Sequence, residues 1–147
     1  MQTIVTETIL TPVLALVVWS LIVWIWMYAT RIPAMQKARI DPQDAKHPGT
    51  YGDKIPTQVR AVADNYNHLM EQPTIFYALV FYVYLTGAEN PLNIMLAWAY
   101  VGLRVVHSLI QNTVNLVMVR FLVFCVSTLC LFAVAAPAVM ALLSGAS

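Results

Sequence analysis

Arg60-Ala-Val-Ala-Asp-Asn-Tyr-Asn-His-Leu-Met-Glu-Gln-Pro73 is the stretch that decides the fold. It leads into a long apolar run, yet it is full of polar groups. On a 3.6-residue period, Asp64, Asn67, His68 and Glu71 fall at i, i+3, i+4 and i+7, with Arg60 one turn earlier on the same face. Val62, Leu69, Met70 and Phe76 take the other side. If this helix enters a bilayer, its polar stripe has to face other helices, a ligand or water. The rest of the chain must supply what it faces.

The composition places the chain in a membrane. Of 147 residues, 60% are hydrophobic and 10% charged, against about 25% charged in an ordinary soluble domain. The mean hydropathy is +0.70. One domain covering residues 1–147 is the natural count for this length. The net charge of +1 leaves no large basic surface for nucleic acid. Cys125 and Cys130, five apart in an apolar run, suit neither a disulfide nor a metal site, and read as small buried or lipid-facing residues.

Taken in order, Thr8 to Thr30 is an uncharged run long enough to cross a hydrocarbon core, which needs about 20 residues. No Lys or Arg precedes it and it is long for a signal peptide, so it reads as the first transmembrane helix. Arg31 to Pro56 holds four prolines and five of the eight basic residues, and reads as an exposed loop with one short helical piece near Ala34–Arg39. His47 reads as a surface histidine. Thr57 is the expected N-cap of the second helix, which Pro73 should kink near Leu69. Thr86–Pro91 breaks it. The third helix runs from after Pro91 to about Asn112 and carries a second polar stripe of Tyr100, Arg104, His107, Ser108, Gln111 and Asn115. Asn112–Met118 is a turn, Arg120 opens the fourth helix, and Pro137 is a candidate kink within its uncharged remainder.

The expectation is an all-α membrane protein, a bundle of four transmembrane helices. Six of the eight Lys and Arg lie between Arg31 and Arg60, so that loop is expected in the cytoplasm, with both termini and the Thr86–Pro91 loop opposite. At 1.5 Å per residue, Glu71 stands roughly 20 Å beyond Thr57, and Arg104 roughly 15 Å beyond the Asn112–Asn115 turn. Those depths match, and a Glu71–Arg104 ion pair would be the economical way to hold both charges in a bilayer. Arg60 and Asp64 would then lie level with Gln111, Asn115 and Arg120. Two readings stay open for the stripes: a ligand pocket, or a polar seam that glues helices together. His68 and His107 alone make a weak case for a metal.

At these residues the sequence resembles the MAPEG family, the membrane-associated proteins of eicosanoid and glutathione metabolism. Asn-His-Leu-Met-Glu-Gln-Pro at 67–73 resembles its helix-two signature. Leu-Arg-Val-Val-His-Ser at 103–108, with Arg120 thirteen residues after His107, resembles its microsomal glutathione transferase branch. The resemblance implies a homotrimer, with glutathione bound between neighbouring subunits near the cytoplasmic face. The topology suggests a bacterial inner membrane or a eukaryotic endoplasmic reticulum, and the short chain favours the bacterial-type member. It implies that Arg120 stabilises the glutathione thiolate, and that Asn67, His68, Glu71, Arg104 and His107 hold the peptide. The chain departs from the family pattern at Asp64, Asn67, His68, Gln111 and Phe124, which thins the expected clamp for the glutathione carboxylates.

Three functions follow. The first is a glutathione-dependent transferase or peroxidase acting on lipophilic electrophiles. The second is a non-catalytic member of the family, a lipid-binding adaptor or an accessory subunit of a membrane complex. The third is an enzyme of the same fold that uses another thiol or a lipid-soluble substrate. No internal repeat points to a channel or transporter.

Overall fold

A computed structural model of the chain describes residues 8–47 and 51–145. Pro48 and Gly49, read above as loop, lie outside the described residues, as do the two ends of the expected 1–147 domain. Among the described residues there is no strand. Helix α1 spans Leu10–Lys37, α2 Thr57–Glu71, α3 Pro73–Leu85, α4 Pro91–Asn112 and α5 Val117–Leu143. Helices α2 and α3 are two halves of one rod, so four rods form the bundle. Helices α1, α4 and α5 are each long and apolar enough to cross a membrane.

The helix ends show why the chain folds back where it does. Helix α1 begins at a carboxylate cap from a distant loop: Glu89 Oε1 accepts from Ile9 N–H at 2.8 Å and from Thr8 Oγ1 at 3.4 Å. It does not stop at Thr30. It runs through Arg31 and Pro33 to Lys37, so the exposed loop expected from Arg31 starts seven residues late. Proline removes one intrahelical bond, and a rod of 28 residues, about 42 Å long, has enough other bonds to continue. It ends where Arg39 turns left-handed (φ 52°) and Ile40 N–H reaches back to Met35 O at 3.1 Å.

In the connection after α1, residues 39–47 are mostly exposed, as expected, and carry a short 3-10 turn at Pro42–Lys46. A second turn at Gly52–Lys54 is flanked by Tyr51 and Ile55, which are buried. The residue in the N-cap position of α2 is Pro56, not Thr57, and no side chain caps that end. The break expected near Leu69 falls at Gln72, three residues on. Pro73 has no N–H to give to the Leu69 carbonyl, and the ladder resumes with Ile75 N–H on Gln72 O at 2.9 Å. Helix α3 ends at Gly87, whose φ of 67° needs a residue without Cβ strain, and Ala88 N–H bonds Val83 O at 3.0 Å. Asn90 Oδ1 caps α4 by accepting from Asn93 N–H at 2.9 Å. Helix α5 starts at Val117, one turn before Arg120, and runs unbroken through Pro137.

Helix α4 packs against α1, α2 and α5, which makes it the central rod. Its apolar neighbours Leu16, Val23, Leu69, Phe76, Val80, Val83 and Leu131 form the core with Ala97, Tyr100 and Val101. Phe76 stacks on Tyr100, with ring centroids 4.6 Å apart and 19° between planes. The outward faces stay apolar: Leu14, Leu21, Ile25, Leu129 and Phe132 are all exposed. Such a surface suits lipid and would be costly in water.

Candidate functional site

The site grows from the α4–α5 turn. Asn115 sits in that turn with φ 49°, a left-handed conformation that asparagine tolerates better than most residues. Its Oδ1 accepts from Arg120 Nη1 at 2.7 Å. With its amide oriented so that oxygen faces the donors, Gln111 accepts from the same Nη1 at 3.2 Å and from Asn65 N–H at 3.3 Å. Arg120 is thus aimed by two carboxamides, while its Nε is buried with no partner in the chain.

Arg120, Gln111 and Asn115 form one wall of a cavity of about 470 Å³. The opposite wall is the start of α2, with Arg60, Asp64 and Asn67. The end of α1 and the connection supply Arg31, Tyr51 and Ile55. Arg31 Nη2 donates to the Tyr51 hydroxyl, and this pair ties α1 to the connection at the cavity rim. The volume lies in the range of small-molecule sites, roughly 300–1,000 Å³. Three guanidinium groups against the one Asp64 carboxylate make it an anion-favouring space.

The residues singled out from the sequence divide into two groups. Asn67 and Arg120 line the cavity. His68, Glu71, Arg104 and His107 do not; Glu71 faces outward, and His68, Arg104 and His107 gather further along the bundle, between α2, α4 and α5. There His68 and His107 stand edge to face at 5.7 Å, each about 6 Å from the Phe124 ring. Arg104 lies over Phe124, its guanidinium carbon 5.6 Å from the ring centroid. Among the described residues no three His, Cys, Asp or Glu side chains are grouped to hold a metal.

The Glu71–Arg104 pair expected from matching depths does not form. Glu71 turns outward, with its side chain 67% exposed, and its Oε2 lies 3.4 Å from His68 Nδ1, at ion-pair range but off hydrogen-bonding geometry. Arg104 is 1% exposed and donates from Nη2 to the His68 carbonyl at 3.2 Å. Depth along two helices says nothing about rotation around them, and the two side chains leave their helices in different directions. The same rotation leaves Asp64, Asn67 and Glu71 exposed on α2, while Ala61, Val62, Asn65 and Leu69 face the bundle.

Arg31 and Tyr51 were missed as site residues because they belong to a segment that reads as loop. The one signal available was the tyrosine: a lone aromatic in a proline-rich polar run. The register of α4 against α2 is set by three contacts in order: Asn65 with Gln111, His68 with Arg104, and Gln72 with Tyr100, whose hydroxyl donates to Gln72 Oε1 at 3.4 Å. Gln72 Nε2 continues the line to α5 by donating to Thr128 Oγ1 at 2.8 Å.

The family model of the MAPEG family matches residues 9–140. The chain belongs to the MAPEG family. Searches of curated proteins and of solved structures returned no match. The family includes glutathione transferases and related membrane proteins, and its match spans all four rods of this bundle.

Proposed function

We propose that this MAPEG protein is a glutathione-dependent membrane transferase or peroxidase acting on lipophilic electrophiles. The observation that carries the reading is the convergence of Arg31, Arg60 and Arg120 on one cavity at the connection end of the bundle. Glutathione carries two carboxylates and a thiol, and three cations beside it suit that charge. The departure from the family pattern at Asn67 thinned the clamp expected on α2; Arg31 and Arg60 offer a replacement from α1 and the first turn of α2.

Bound glutathione would supply a nucleophilic thiol, which at a pKa of about 8.5 is mostly protonated at neutral pH. Arg120 lines the cavity, and its guanidinium charge is what would favour the thiolate form. Asn115 and Gln111 hold Arg120 against the cavity wall. Asn67 extends amide contacts, and His68 and Glu71 continue its face of α2. Arg104 and His107, being buried, act behind that face by holding its shape. The exposed stripe of Asp64, Asn67 and Glu71 suits a neighbouring subunit, in keeping with a homotrimer. By the positive-inside rule the Arg31–Arg60 segment faces the cytoplasm of a bacterial inner membrane, with the chain termini opposite.

The test is glutathione titration of the detergent-purified protein at neutral pH, following ultraviolet thiolate absorbance. A thiolate signal that is lost in Arg120→Ala supports the reading. Absence of both signal and binding at millimolar glutathione sinks it.

One observation favours a non-catalytic, lipid-binding role instead. Leu79, Tyr82, Ala135, Ala138, Val139 and Leu142 line an apolar groove of about 290 Å³ between α3 and α5. Co-purified lipid retained in the Arg120→Ala variant, with no thiolate signal in wild type, would select that role.

A further inference from the structure

Between the apolar residues of α2 and α4 lies a set of buried polar groups, and several of them lack partners. Asn65 and Ser108 are 0% exposed, and neither carboxamide atom of Asn65 nor the Ser108 hydroxyl has a hydrogen-bond partner. Both carboxamide atoms of Asn112, 4% exposed, are in the same condition, as are Nε and Nη1 of Arg104. Orphaned polar atoms cost roughly 1–3 kcal/mol each when left dry, and folded proteins satisfy nearly all of them. So many on one interface call for a ligand.

We propose that the α2–α4 seam is a hydrated site, in which bound water bridges Asn65, Ser108 and Asn112 and completes the hydrogen bonding of Arg104. The geometry selects water over the alternatives. Ser108 and Asn112 are four residues apart on one face of α4, and Asn65 is held at their level by its backbone contact with Gln111. These groups offer donors and acceptors together. A cation would leave the amide donors empty and would meet the Arg104 charge. An anion would leave the two carboxamide oxygens empty. Nε and Nη1 donate from different edges of the planar guanidinium, so no single acceptor serves both. Water donates and accepts, and several molecules can fill unlike positions. A second copy of the chain cannot substitute, because these atoms are already buried within one chain.

Gln111 links the seam to the cavity, since it lines the cavity and accepts from Asn65 N–H. Beyond Arg104 the polar line continues through Tyr100 and Gln72 to Thr128. The proposal rests on these contacts and not on the glutathione reading.

X-ray hydroxyl-radical footprinting of the protein in lipid nanodiscs tests it, because radicals form at bound water and oxidise the side chains next to it. After correction for intrinsic reactivity, His107, next to Ser108 in α4, should oxidise several-fold faster than Leu131 and Val134, which are similarly buried but lie in the apolar core. In the Asn65→Leu variant that excess should fall, and the melting temperature should drop. Oxidation of His107 no faster than that of Leu131 overturns the proposal, whether or not the variant folds. So does a melting temperature of Asn65→Leu equal to or above wild type, since a dry seam gains from losing two orphaned polar atoms.

Discussion

Arg120 donates to the Asn115 carboxamide at 2.7 Å, and Asn115 itself is held in a left-handed backbone conformation. One residue therefore reverses the chain between α4 and α5 and aims the guanidinium at the cavity. The two jobs can be separated. Asn115→Gly keeps the turn and removes the anchor. Asn115→Ala removes the anchor and adds backbone strain of roughly 1–2 kcal/mol. Thermal unfolding should show Asn115→Ala clearly less stable than Asn115→Gly. Both should lose most of any thiolate signal that Arg120 produces with glutathione.

The outward turn of Glu71 makes a prediction against the sequence expectation. A double-mutant cycle with Glu71→Gln and Arg104→Gln should give a coupling below about 0.5 kcal/mol, the level of sites without direct contact. Coupling of several kcal/mol in unfolding measurements would restore the buried ion pair. Arg104→Lys alone should destabilise the fold, because a lysine cannot span both the His68 carbonyl and the Phe124 face.

Glu89 is the far-end counterpart of this device, capping α1 from the α3–α4 loop. Glu89→Ala leaves Ile9 N–H without its acceptor and should cost about 0.5–2 kcal/mol, as helix-cap losses do. Amide hydrogen exchange should accelerate at Ile9–Thr11 and stay unchanged at the α4–α5 turn. Equal acceleration at both ends would mean that Glu89 acts on global stability and not as a local cap.

Thr128→Val, which keeps shape and removes the hydroxyl, should lower stability by about 1–2 kcal/mol by stranding Gln72 Nε2 at the break between α2 and α3. The companion variant Pro73→Ala restores the missing N–H and should partly straighten the rod. Its melting temperature should then be less sensitive to Thr128→Val, an interaction that a four-member mutant cycle reads directly.

Much was legible in the residues themselves. Long, nearly uncharged runs specify the three membrane-length helices α1, α4 and α5, because an unpaired backbone in lipid is too costly to exist. Proline, glycine and asparagine marked the turn at Gly87–Pro91 and the break beside Pro73. The motifs at Asn67–Pro73 and Leu103–Ser108 carried the family resemblance, since local chemistry is written in local spacing.

Three features needed the tertiary structure. Helix α1 passes through Pro33 because packing and the remaining bonds of a long rod outweigh one lost hydrogen bond. Arg31 and Tyr51 reach the cavity because the connection folds back onto the bundle, a contact between residues 20 apart in a segment without periodicity. Glu71 and Arg104 stay apart, and Asn65 turns inward in place of its polar neighbours, because the rotation of α2 about its own axis is set by the whole surface it buries. Periodicity names the faces of a helix; only packing decides which face meets which neighbour.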